Sequence, residues 1–104
     1  MLFYGLHKSD KPDKKYYVEL ADSPTSRRKR VYFGAAGMND YTKWGKLERD
    51  ERKRLYIQRH QAKEDWTRSG MDTAGFWSRW ILWNKPTIKD SLADTLRNFP
   101  LTRA

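Results

Sequence analysis

The stretch Ala74–Asn84 (AGFWSRWILWN) constrains this chain more than any other. Phe76, Trp77, Trp80, Ile81, Leu82 and Trp83 leave it little polar surface. A helix that is apolar nearly all round is normally buried on several sides. No other segment is apolar enough to found a core, so the rest must pack around this one. The mean hydropathy of −1.03 and a charged fraction of 34% lean toward disorder. Five Trp, six Tyr and four Phe lean strongly the other way. Each ring can bury roughly 150–250 Å². At about 25 cal/mol per Å², a few buried rings supply the apolar gain a small domain needs. The expectation is a small ring-built core under a densely charged surface.

A length of 104 residues points to one domain. The expected fold class is α+β: an N-terminal antiparallel β-hairpin, then about three α-helices around the Trp-rich core. Lys15–Leu20 alternates, with Tyr16, Val18 and Leu20 on one side and Lys15, Tyr17 and Glu19 on the other. Arg28–Phe33 alternates again, with Val31 and Phe33 opposed to Arg28, Arg30 and Tyr32. Asp22, Ser23 and Pro24 supply turn chemistry between them. Gly34 and Gly37, with Asp40 beyond, read as a turn rather than a phosphate cradle. A long helix is expected over about Leu47–Trp66, with Leu55, Ala62 and Trp66 as its apolar stripe and Tyr56 and His60 beside it. Charge pairs Glu48/Arg52 and Asp50/Arg54 would support it. A further helix covers about Ala74–Asn84, where Gly75 would let a neighbouring backbone approach. After Lys85-Pro86, Ile88, Leu92, Leu96 and Phe99 mark a third amphipathic helix that Pro100 closes. Residues 1–14 are expected to form a flexible or partner-ordered arm, 15–100 the domain and 101–104 a short tail.

The chemistry of the chain is dominated by charge. Lys and Arg number 22 against 13 Asp and Glu, a net charge of +9. The densest block is Arg27-Arg28-Lys29-Arg30. It suits phosphates, an acidic protein face or nuclear import; its bland reading is a solvated strand start blunted against edge pairing. The long helix adds Lys46, Arg49, Arg52 and Lys53, diluted by interleaved acids. These eight residues are the candidate partner or nucleic-acid contacts. No zinc-finger, basic-zipper or RNA-recognition signature is present, so nucleic-acid binding would be backbone contact with weak sequence selectivity.

Cysteine is absent and only His7 and His60 supply imidazole, which argues against thiol chemistry and a His-rich metal site. No metal or organic cofactor is expected. No apolar run approaches the roughly 18–20 residues of a membrane span, and Met1–Leu6 is too short for a signal peptide. Arg59-His60 with Glu64-Asp65 is the one cluster that invites a catalytic reading, since a carboxylate one turn away could orient His60. A structural His–carboxylate pair is the preferred reading, and no hydrolase or phosphate-loop motif accompanies it. Trp77, Trp80 and Trp83 could stack bases, but core packing is the simpler use. Arg79 is placed for a cation–π contact with one of these rings.

The stretches Val31-Tyr32-Phe33-Gly34, Asp40-Tyr41-Thr42, Arg59-His60, Glu64-Asp65-Trp66 and TAGFWSRWILWNKPT (residues 73–87) carry a resemblance. From about Lys29 to Phe99, the chain resembles a family of short uncharacterised proteins encoded by large nucleocytoplasmic DNA viruses. That family has no activity to carry over and assigns no catalytic residue. The resemblance implies a viral context. It leads to the expectation of a non-enzymatic virion protein, a minor capsid or internal component docking on acidic surfaces of other virion proteins and located in particles or in the infected cytoplasm or nucleus. The alternative is a viral nucleic-acid-binding protein, with DNA as its partner. Residues Met1–Arg28 fall largely outside the resemblance.

Overall fold

The computed structural model describes residues 1–104. Strands β1 (Leu2–Lys8), β2 (Lys14–Ala21) and β3 (Lys29–Ala35) are followed by helix α1 (Arg49–His60). A single 3₁₀ turn at Arg68–Gly70 precedes α2 (Ala74–Trp77), which runs on as a π-helical stretch, Ser78–Leu82. Helix α3 (Ile88–Asn98) and a two-residue strand, β4 (Thr102–Arg103), complete the chain. The sheet order is β3-β2-β1-β4, with β4 parallel to β1 and the other pairs antiparallel. This is the expected α+β domain, with an N-terminal β-meander and three helices around aromatic residues. No helix is long and apolar enough to cross a membrane.

The hairpin follows its alternation. Tyr16 pairs with Phe33, Val18 with Val31 and Glu19 with Arg30. Val18, Leu20 and Phe33 are fully buried on one face, against Phe76, Trp77 and Ile81. Trp77 is the centre: it is fully buried, and its indole N–H donates to the Met71 carbonyl at 2.7 Å. That bond removes the cost of burying an unpaired donor.

The N-terminal segment is not an arm. Residues 2–8 form a strand paired to β2, and the Phe3 ring stacks on Trp77 at 5.9 Å. Its alternation is hidden by Gly5, which has φ +124° and marks a register shift between Phe3 and Leu6. The bulge lets both Phe3 and Leu6 join the core side, although they lie three apart. The expected tail also joins the sheet: Thr102 N–H donates to Met1 O and Ala104 N–H to Phe3 O, both at 3.0 Å.

Helix α1 is shorter than expected and is rotated about its axis. Leu55 is exposed while Tyr56 is buried, so Lys53, Tyr56, Ile57 and His60 form the docked side. The Tyr56 ring lies flat on Trp83, with centroids 4.6 Å apart and planes at 6°, and Trp66 stacks on it at 6.0 Å. Flat ring contact outweighs the aliphatic contact that Leu55 would make. Asp50 does not pair with Arg54. It accepts from Tyr41 Oη at 2.6 Å, and Arg54 turns to Glu51. After the helix, Asp65 accepts the Thr67 N–H at 2.9 Å, a local turn that competes with further helix.

The π-helical stretch changes the hydrogen bonding of the core segment. Trp83 N–H donates to Ser78 O, five residues back, at 3.2 Å. The Trp80 carbonyl is taken by Asn84 Nδ2 at 3.1 Å and Thr95 Oγ1 at 3.3 Å. Ser91 and Thr95 are the fully buried residues of α3, and Ile88, Leu92, Leu96 and Phe99 pack beside them on the core. Small polar side chains therefore occupy the closest part of this helix contact, where carbonyls need donors. Thr87 caps α3, its side chain accepting the Asp90 N–H at 3.1 Å. The close backbone approach expected at Gly75 occurs at Gly70, where an added Cβ would stand 1.9 Å from Asp65 O. Gly75 instead faces the Glu64 carboxylate.

Candidate binding surface

The eight candidate cations fall into two groups. Arg27, Arg28, Lys29 and Arg30 lie at the start of β3 or just before it, all exposed. Arg28 and Arg30 stand on the sheet face opposite the core. Arg28 donates to Glu19 at 3.1 Å, and its guanidinium lies 3.7 Å from the Tyr4 ring centroid. Arg30 pairs with Glu19 and Asp10, both at 3.5 Å, and covers Tyr17 at 4.4 Å. The neighbouring hydroxyl of Tyr32 raises the Arg30 pKa and lowers that of Asp10, to which it donates at 2.7 Å. Lys29 points to the other side and reaches Asp72 at 3.6 Å. Arg27 has no ion-pair partner.

The outer face of the sheet also carries a row of rings. His7, Tyr17 and Tyr32 are register partners on β1, β2 and β3. Ring centroids are 5.1 Å apart at each step. Lys11 from the β1–β2 turn sits 4.1 Å over Tyr32. The alternation of β2 and β3 puts Tyr17 and Tyr32 on the outer face. His7 does not follow from alternation, because the bulge at Gly5 conceals which way that ring faces.

The second group belongs to α1 and the turns before it. Lys46 and Arg52 are exposed, and the Arg52 guanidinium lies 4.4 Å from the Trp44 ring. Arg49 is half-buried beside Tyr41. Lys53 turns inward: its ammonium donates to Asn84 O at 2.9 Å and sits 4.9 Å from the Tyr41 ring. Burial, and then the nearby Arg79 and Lys85, push its pKa down. Lys53 thus holds α1 to the end of the π-helical stretch, and Lys46 and Arg52 are the freest cations of this group. Arg79 makes the expected cation–π contact, 4.3 Å from Trp80, and donates to Trp83 O at 2.7 Å.

His60 and Glu64 share a cleft of about 360 Å³ with Tyr56, Trp83, Lys15 and Arg59. The pair expected between them is not formed. The His60 ring lies on Tyr56 at 4.5 Å, Glu64 lies against Gly75, and the residues are joined by the Glu64 N–H to His60 O. At the cleft rim Lys15 pairs with the buried Asp40 at 2.6 Å, which also takes the Thr42 N–H. Asp40 thus caps a turn. No group of three or more His, Cys, Asp or Glu side chains is placed to hold a metal ion.

Fold and surfaces together define a small basic α+β protein whose side chains of interest are cations laid on aromatic rings. The chain belongs to a family of unknown function, DUF5754, which it matches over residues 4–60. The match takes in most of β1 and all of β2, β3 and α1, while the Trp-rich block 73–87 lies beyond it. No curated protein and no solved structure matches the chain.

Proposed function

We propose that this protein is a non-enzymatic docking component of a viral particle, a minor capsid or internal protein that binds acidic surfaces of its neighbours. The observation that carries the reading is the unneutralised charge. Six of the 22 Lys and Arg side chains take part in ion pairs. The excess is displayed on a domain whose rings are largely committed to packing. Such a surface attracts polyanions and acidic proteins over a Debye length of about 8–10 Å. The viral context rests on the resemblance of residues 29–99. Lys46 and Arg52, exposed and unpaired with carboxylates, are the first contacts expected in docking, and Arg27 the next.

The test is titration of the purified chain against polyglutamate and against duplex DNA over a range of salt. Docking predicts saturable polyglutamate binding that the double variant Lys46→Glu, Arg52→Glu weakens severalfold while the fold is retained. Duplex binding with a log–log salt slope that implies about six or more phosphates, and no polyglutamate binding, would transfer the function to nucleic-acid packaging.

A further inference from the structure

The ring row on the outer sheet face has no role in the core. The apolar core lies on the opposite face, around Trp77. His7 is exposed, and Tyr17 and Tyr32 are half-buried by neighbours of their own sheet and turn. Cross-strand aromatic pairs support a sheet by roughly 0.2–1 kcal/mol each. The row makes two such pairs, and cations lie over two of its three rings. Adjacent strands lie about 4.8 Å apart, so the row spans roughly 10 Å, the reach of two or three stacked bases.

We propose that this face is a site for single-stranded nucleic acid, a second site distinct from the cations of α1. Bases stack on the exposed His7 ring and on the guanidiniums of Arg28 and Arg30, which lie over Tyr4 and Tyr17 and are held in place by those rings. Rings and guanidinium planes both stack with bases whatever their identity, so the site has little sequence preference. The charge on the face favours stacking over phosphate tracking: Lys11, Arg28 and Arg30 are offset by Asp10 and Glu19. The salt dependence is therefore shallow. A duplex hides its base faces within its own stack and gains little from groups that offer only stacking.

The probe is a dye-labelled oligothymidine of about 12 nucleotides, within the span such sites cover. Fluorescence anisotropy with the full chain at low salt is expected to show binding that an unlabelled duplex competes for poorly. The double variant Tyr17→Leu, Tyr32→Leu is expected to lose at least about tenfold in affinity, since one stacked base is worth about 1–3 kcal/mol. Tyr17→Phe with Tyr32→Phe keeps the planes and is expected to bind within about threefold of the parent. Should the Leu variant fail to fold, NMR of the parent chain decides: oligothymidine must shift the signals of His7, Tyr17 and Tyr32 and leave those of Arg49 and Arg52 in place. Absence of oligothymidine binding overturns the proposal. So does equal competition by duplex, a folded Leu variant with parental affinity, or shifts confined to α1. Polyglutamate displacing the oligonucleotide from the same ring signals makes this face a protein-docking surface and overturns it too.

Discussion

At the scale of single residues, the fold depends on where an atom cannot go. Asp65 O occupies the space that a side chain at Gly70 would need. That atom is backbone, held in a turn by the Asp65–Thr67 bonds, and cannot swing aside. Gly70→Ala is therefore expected to cost more than about 2 kcal/mol, the overpacking range. Gly75→Ala meets the far end of the flexible Glu64 side chain and should cost clearly less. Urea unfolding of both variants checks the order, and equal midpoints would contradict it. Tyr56 makes a second prediction. Burial among rings pushes its pKa up from the ordinary 10.0 to about 12. The folded state thus favours the protonated phenol. Its contribution is full below about pH 10 and is lost as pH rises through 12. Tyr41 shifts the same way, chiefly through its bond to Asp50. Tyr56→Phe keeps the stack and removes one titrating group. The alkaline fall in stability should be shallower in that variant, as read by unfolding at a series of pH values; an unchanged slope would contradict the assignment.

At the scale of elements, β1 decides whether the N-terminus is part of the domain. Phe3 is buried against Trp77, and β1 also carries the pairing of β4. Phe3→Ala is expected to cost about 3–5 kcal/mol, as for other buried aromatic truncations. A mobile arm would tolerate the change, so a denaturation midpoint equal to the parent would refute the strand. Thr87→Ala, which removes the α3 cap, should cost about 1 kcal/mol. The hairpin, the Trp-rich centre and α3 were legible because their patterns are regular: period two in Lys15–Leu20, and apolar steps of four from Ile88. β1 was not legible because a glycine bulge breaks its alternation. The docked face of α1 is not legible in the sequence because Leu55 ranks as more apolar than Tyr56, whereas the structure offers Trp66 and Trp83 as flat partners. The candidate cations were legible as a charge excess. Their roles were not, because sequence does not reveal that Lys53 folds back on Asn84 while Lys46 stays free.

At the scale of the whole molecule, the charge and the core rings occupy different layers. Trp77 and Phe76 sit between sheet and α3, and cations line the outside, several resting on rings that are themselves half-exposed. Low hydropathy in this chain describes a surface around an ordered core. The proposed role follows from that separation: a rigid interior fixes the display of positive groups, so docking costs little ordering entropy. The proposed role as a particle component is tested most directly by quantifying the protein in purified particles of its proposed viral source, after nuclease digestion and again after a high-salt wash. Docking on acidic particle proteins predicts a fixed copy number that survives nuclease and is released by salt. Loss of the protein with the digested nucleic acid, or its absence from particles altogether, would contradict the account.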